Sequence, residues 1–140
     1  MNRQQQGDRG EMSAMCWYGE TGHLVYVPVG HSADVDFIAD DGRRLIKVQV
    51  KTTSQFRLGR WEVAICTRGG NQSWNGVVKH FSADRCDDLF VVAVDGRRWR
   101  IPSAAVRATS GLRLGGPKYA DFEVDAGRPL TTSPQAQSLS

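Results

Sequence analysis

Apolar and polar residues alternate along residues 45–51, LIKVQVK, and this alternation predicts a β-strand with two different faces. One face is apolar, with Ile46, Val48 and Val50. The other face carries only polar residues: Lys47, Gln49 and Lys51. The apolar face is expected in a core, and the polar face either meets water or carries chemistry.

A second β-rich run, residues 35–38, precedes this strand, and the pair Asp41-Gly42 between them is typical of a tight β-hairpin turn. With these two residues as the loop, Asp36 faces Lys47 and Asp34 faces Gln49. Side-chain alternation then collects two carboxylates, an amide and two ammonium groups on the polar face.

The rest of the chain predicts one helix followed by strands. Residues 7–22 have helical spacing; Asp8 would cap the start, Gly22 would end the helix, and one face would carry Met12, Met15, Cys16 and Gly19. Strands are predicted at residues 23–30 and 60–66, and a second hairpin at residues 86–102 around Asp95-Gly96. A short helix is predicted within residues 103–110. This order indicates a single α/β or α+β domain.

Length and composition fit one domain over residues 1–126. Residues 127–140 contain little to bury, so they are predicted to form a disordered C-terminal tail. No apolar run is long enough to span a membrane, and the N-terminus lacks the apolar segment of a signal peptide. Three cysteines without close pairing favour a reducing compartment, so a cytoplasmic location is expected.

Positive charge is clustered although the net charge is only +3. Residues 42–61 contain six cations and no acid, and a second basic patch follows at Arg97, Arg98 and Arg100. Such clusters suit a polyanion, because they neutralise phosphates and release counterions. A solubilising surface would give the same pattern, and charge alone does not separate the two interpretations.

The polar face of the first hairpin has the groups that a hard cation needs. Mg²⁺ prefers oxygen ligands, and a carboxylate, the Gln49 side-chain oxygen and a strand carbonyl could hold it. Lys51 would then lie beside the cation, where it could orient water or neutralise charge in a transition state. A solvated strand face with mixed charges remains the alternative. A zinc site from Cys66, His80 and Cys86 fits no zinc-ligand spacing.

The motif DVDFIADDGRRLIKVQVK, residues 34–51, resembles the core of the PD-(D/E)XK nuclease superfamily. Its Gln-x-Lys ending is similar to the subfamily of homing endonucleases associated with group I introns. Two further segments support the resemblance: GDRGE before the first helix, and DDLFVVAVDGRRWRIP at the second hairpin. The likeness extends over residues 7–124 and implies a restriction-endonuclease-like α/β fold, with a mixed central β-sheet flanked by helices.

The resemblance assigns roles to Glu11, Asp36, Gln49 and Lys51. It implies that Asp36 and Gln49 bind Mg²⁺ or Mn²⁺, that Glu11 reaches the same ion, and that Lys51 is the catalytic lysine. The implied reaction is hydrolysis of a DNA phosphodiester. Val35 stands where the family name has proline, which supplies no ligand. Asp34 competes with Asp36 as a ligand, because the two-residue loop places Asp34 opposite Gln49.

DNA is the implied partner. Arginine, asparagine and glutamine read base edges and lysine contacts phosphates, so nucleic-acid contacts are predicted at Arg57, Arg60, Arg68, Asn71, Gln72 and Lys79. A chain with one site needs a homodimer or homotetramer to cut both strands. A Holliday junction resolvase and a catalytically inactive DNA-binding module remain the alternatives, because Gln49 replaces an acid and removes one negative charge from the metal site.

Overall fold

The structure is a computed structural model that describes residues 1–32, 34–68 and 78–131. One α-helix lies in this part of the chain, α1 (Arg3–Glu20). The strands are β1 (Leu24–Tyr26), β2 (Phe37–Asp40), β3 (Leu45–Thr53), β4 (Gln55–Arg57), β5 (Arg60–Ala64), β6 (Thr67–Arg68), β7 (Val78–Lys79), β8 (Asp88–Ala93), β9 (Arg98–Pro102), β10 (Gly111–Leu114) and β11 (Glu123–Val124). Short 3₁₀ turns occupy Ser103–Ala105, within the predicted short helix, and Ala120–Phe122.

Six strands form a mixed central sheet in the order β1-β2-β3-β8-β9-β11. β3 and β8 run parallel, and the other neighbours are antiparallel. The helix α1 packs on one face, and a small sheet of order β10-β5-β4 packs on the other. The predicted α/β fold with a mixed central sheet is therefore confirmed, but in the described residues one helix and a small sheet, rather than helices, flank the central sheet. No helix within the described ranges is long and apolar enough to cross a membrane.

The helix begins earlier than predicted and buries a different face. Asn2 caps it, because the Asn2 side chain accepts from the Gln5 amide while the Gln5 side chain accepts from the Asn2 amide. The predicted cap at Asp8 is wrong. The buried residues are Gly10, Ala14 and Tyr18, whereas Met12 and Cys16 of the predicted face are exposed.

Close contact with the sheet explains why this face is chosen. A Cβ on Gly10 would collide with the Thr52 hydroxyl, so the helix backbone lies directly on β3 at this point. About two turns further along the same face, Tyr18 donates a 2.6 Å hydrogen bond to the buried carboxylate of Asp88. Arg100 donates to the same oxygen at 2.7 Å. These contacts fix the position of α1 along the sheet.

The first hairpin has a longer turn than the predicted two residues. Asp40 pairs with Leu45, and the Asp41 carboxylate accepts hydrogen bonds from the amides of Arg43 and Arg44. The predicted register is therefore wrong by two residues. An even shift leaves every side chain on its predicted face, because alternation has a period of two.

The second hairpin is confirmed, and the chain stays against it beyond residue 126. All of β8 is buried, and Gly96 takes a positive φ of 101° in the turn. The Gly127 amide donates to the Gly96 carbonyl in this turn, and the Leu130 amide donates to the Val94 carbonyl. Residues 127–131 of the predicted tail therefore lie along this hairpin. Residues 132–140 lie outside the described part of the chain.

The second basic patch is built into the fold. Arg97 pairs with Glu123 at 2.8 Å, and the buried Arg98 donates to the carbonyls of Ser13 and Asp125. Arg100 is bound to Asp88, as described above. Each of the three arginines therefore has an internal partner, which gives this patch a structural role in the fold.

The contact between Gly10 and Thr52 makes a testable prediction. Gly10→Ala should lower the free energy of unfolding by about 1–3 kcal/mol, because the methyl group overpacks the interface between α1 and β3. Gly7→Ala is the matched control in the same helix, since a Cβ there meets nothing within 4 Å. It should stabilise by about 0.5–1 kcal/mol. Urea unfolding of both variants measures the difference, and equal effects would contradict the close approach.

Candidate active site

The candidate site lies where β2 separates from β3. The Asp36 amide donates to the Val48 carbonyl at 2.8 Å, and the Asp36 carboxylate accepts the Val50 amide at 2.7 Å. Because Phe37 pairs with Val48, the same register places Asp36 opposite Gln49. The side chain of Asp36 thus accepts the hydrogen bond that a further residue of β2 would otherwise accept. This fixes its carboxylate at the point where β2 and β3 separate, next to Asp36 and Val50, which we call the fork.

Glu11 reaches this carboxylate from the helix. It follows Gly10, the residue that brings α1 against β3, and its side chain hydrogen-bonds with Asp36. Burial first, and then the charge of Asp36, raise the pKa of Glu11 from 4.5 to about 7. The charge of Asp8, three residues earlier on the helix, acts in the same direction.

Asp36 is the second carboxyl group of this pair, and several neighbours act on its pKa. Burial raises the pKa of Asp36, but the Val50 amide and the hydrogen bond donated by Glu11 oppose that rise. Electrostatic interactions with Lys51 and His31 act in the same direction on the pKa of Asp36. Sequence reasoning missed His31, because it lies in an irregular segment without periodic spacing. The site therefore has two close carboxyl groups and too little positive charge to ionise both readily.

Gln49 and Lys51 complete the arrangement from β3. Gln49 is only 7% exposed and lies opposite Asp36, and Lys51 is half-buried two residues further along the same strand face. The structure thus brings all four predicted site residues, Glu11, Asp36, Gln49 and Lys51, to one fork.

Asp34 has a different partner from the predicted one. Both of its carboxylate oxygens accept from the Lys79 ammonium at 3.1 Å, and both side chains are half-buried. The expectation that Asp34 faces Gln49 is wrong, because it rested on the two-residue turn. Lys79, a predicted phosphate contact, is held by this ion pair.

The other predicted nucleic-acid residues are spread more widely. Arg57 is exposed, 3.5 Å from Glu62, and Arg60 donates to the Gly59 carbonyl at 3.1 Å. The side chain of Arg68, and the whole of Asn71 and Gln72, lie outside the described residues.

The sequence model of the PD-(D/E)XK endonuclease family matches residues 1–99, which include the whole fork. The chain belongs to the PD-(D/E)XK endonuclease family. The resemblance of the sequence motifs to this family is confirmed. Among curated protein sequences, no match is found.

Two solved structures of nucleases share the fold. One is described as a bacterial homing endonuclease, I-Ssp6803I, with a TM-score of 0.66 and 18% identity; the match covers 87% of this chain and 86% of that one. The other is a Holliday junction resolvase, Hjc from Archaeoglobus fulgidus, with a TM-score of 0.52 and 9% identity, covering 86% of this chain and 91% of that one. At these identities the likeness establishes the fold.

The donor set of this family member fits a hard divalent cation. Glu11 and Asp36 offer carboxylate oxygens, and Gln49 offers an amide oxygen, the ligand chemistry that Mg²⁺ prefers. Burial and the charge of Asp36 raise the pKa of Glu11, and a divalent cation between the two groups would favour the ionised form of both. Among the described residues, no group of three or more His, Cys, Asp and Glu side chains is placed to bind a metal.

Glu11→Gln tests the proton shared by the carboxyl pair. Folding raises the pKa of Glu11, so this carboxyl group contributes stability that is fully present at a pH below 4.5, its unfolded pKa. That contribution is lost as the pH rises from 4.5 through about 7. The glutamine side chain can still donate a hydrogen bond to Asp36, but it does not ionise in this pH range. The metal-free variant should therefore have a higher thermal midpoint than the wild type at about pH 8, but not at about pH 5.

The matched control is Glu20→Gln, at the exposed C-terminal end of the same helix. Its thermal midpoint should follow that of the wild type at both pH values. A Glu11→Gln midpoint that also follows the wild type at both pH values would show that the two carboxyl groups share no proton.

Proposed function

We propose that the protein is a metal-dependent endodeoxyribonuclease that hydrolyses DNA phosphodiester bonds in the manner of a homing endonuclease. The observation that carries the proposal is the pair of carboxyl groups at the fork, with Gln49 opposite Asp36 and Lys51 beside them. Family membership supports nuclease chemistry, and the similarity to a solved homing endonuclease supports this type.

Each residue of the fork has a distinct task. Asp36, Gln49 and Glu11 would hold Mg²⁺ or Mn²⁺, which when bound polarises a phosphate oxygen and acidifies water. The Val50 amide orients the Asp36 carboxylate so that its second oxygen is available to a ligand. Glu11 would lose its proton when it holds the cation, and its carboxylate would then orient water. Lys51 places positive charge where the phosphate gains negative charge in the transition state.

DNA is the proposed partner, and a homodimer or homotetramer the proposed assembly. A single fork of this kind cuts one strand at a time, so two copies are required to cut both strands of a duplex at one place. A cytoplasmic location is proposed from the reduced cysteines. The cysteines at 16, 66 and 86 are all free in the structure.

A Holliday junction resolvase is the second candidate, because the fold is shared with a solved resolvase. The third candidate is a DNA-binding module without catalysis, because Gln49 gives the site one negative charge fewer than an acid would. The substrate that is cut separates the resolvase from the first candidate, and the absence of cleavage separates the inactive module from it.

The decisive comparison is Lys51→Ala against Lys47→Ala, assayed on a plasmid and on a four-way junction with and without Mg²⁺. Lys47 is the matched control, since it lies on the same strand face but is exposed and away from the fork. Lys51→Ala should lower the rate of plasmid cleavage at least about 100-fold, because it removes charge stabilisation of the transition state. Lys47→Ala should keep most of the activity.

Each other result favours a different candidate. Cleavage of the junction alone favours the resolvase. Salt-sensitive DNA binding without any cleavage favours the inactive module. Cleavage that Lys51→Ala leaves unchanged would contradict the assignment of the catalytic site to this fork.

A further inference from the structure

The small sheet β10-β5-β4 turns a basic face to solvent. Its inner face packs on the core, with Trp61, Val63, Leu112 and Leu114 buried. Alternation places Arg57, Arg60 and Arg113 on the opposite face. Glu62, paired with Arg113 in the register, is the one acidic residue on these three strands. The outer face thus has a clear excess of positive charge.

A cleft of about 470 Å³ continues this face beside β10. Three cations line it, Arg60, Arg113 and Lys118, together with Tyr119, and its lining contains no acidic residue. Gly116 leaves room for the Arg60 guanidinium, since a Cβ there would collide with it. A concave surface with three cations and no acid suits phosphate groups.

The hairpin tip next to this face has an unusual residue. β4 and β5 are joined by Leu58 and Gly59, both with positive φ, 52° and 76°. Asn-Gly is the favoured pair in such a turn, and a leucine in the left-handed region is strained. Leu58 is also 87% exposed, so packing within the chain does not compensate for the strain. Strain without internal compensation is characteristic of positions with a binding role.

We propose that this surface, the arginine face formed by Arg57, Arg60, Arg113 and Lys118, binds the DNA phosphate backbone while Leu58 makes an apolar contact in a groove. The proposal rests on the proposed function, because it needs DNA as the substrate. It adds a binding surface separate from the catalytic fork.

The covalent chain connects the arginine face to the fork over a short distance. β3 carries Lys51 and runs into β4 after a single residue, Ser54. Leu58 follows Lys51 by seven residues, a span of at most about 23 Å in extended chain. One turn of B-DNA is about 34 Å long, so the fork and the arginine face can contact one duplex together.

Salt dependence of DNA binding tests the arginine face. The protein carries Lys51→Ala to prevent cleavage, and it is titrated with a labelled linear duplex at several salt concentrations. Adding Arg60→Ala and Arg113→Ala should reduce the slope of log affinity against log salt by about two units, since each phosphate contact contributes about 0.9. Arg128→Ala, an exposed arginine on the helix side of the sheet, is the control and should leave the slope unchanged.

Each outcome either supports or overturns DNA binding by the arginine face. An unchanged slope in the double variant, with normal binding by the parent protein, overturns the arginine face and leaves the proposed function standing. No DNA binding by the parent overturns both. If the double variant is unfolded, the exposed Lys118→Ala replaces it, with an expected loss of about one unit of slope.

Leu58→Asn tests the contact at the hairpin tip. The thermal midpoint should rise by about 3 °C, because the turn gains its favoured Asn-Gly pair. Affinity for the duplex should fall about tenfold, the ratio expected when the burial of one leucine side chain is lost. Unchanged affinity together with the higher midpoint would overturn the role of Leu58.

Discussion

The hydrogen bond from the Val50 amide to the Asp36 carboxylate is the contact on which the candidate site depends. It lies where β2 leaves β3, so an acidic side chain replaces the backbone partner that the ladder would otherwise provide. Asp36 itself lies in a bend just before β2, and the Val50 amide holds its carboxylate against the rigid strand β3, which favours precise chemistry. Gln49 and Lys51 follow from the same strand, and the close approach of Gly10 brings Glu11 within reach.

This arrangement is costly for the metal-free protein. Two carboxyl groups are partly buried together, and the pKa of Glu11 rises to about 7 because burial and the charge of Asp36 disfavour its ionised form. A structural ion pair would have included a cation in direct contact. An electrostatic deficit of this kind, at a place where a divalent ion can take the position of a proton, is characteristic of a functional site. Gln49 limits the deficit, since an acid there would add a third negative charge.

Alternation along β3 was enough to predict the strand face that carries Gln49 and Lys51, since strand faces survive an even error in register. The buried side of α1 could not be predicted in the same way. It depends on a glycine that touches Thr52 and on a tyrosine whose hydroxyl finds a buried acceptor, both far apart in sequence from their partners. The pairing of Asp34 with Lys79 was equally invisible, because it joins distant segments.

The most direct test of this account is calorimetric titration of the protein with Mg²⁺ at about pH 6.5, in two buffers that differ in their enthalpy of ionisation. If the cation replaces the proton between Glu11 and Asp36, binding should release about three quarters of a proton per ion, because a group with a pKa of about 7 is protonated to that extent at this pH, and Glu11→Gln should abolish that release. Mg²⁺ binding without proton release, or with the same release from the Glu11→Gln variant, would contradict the account.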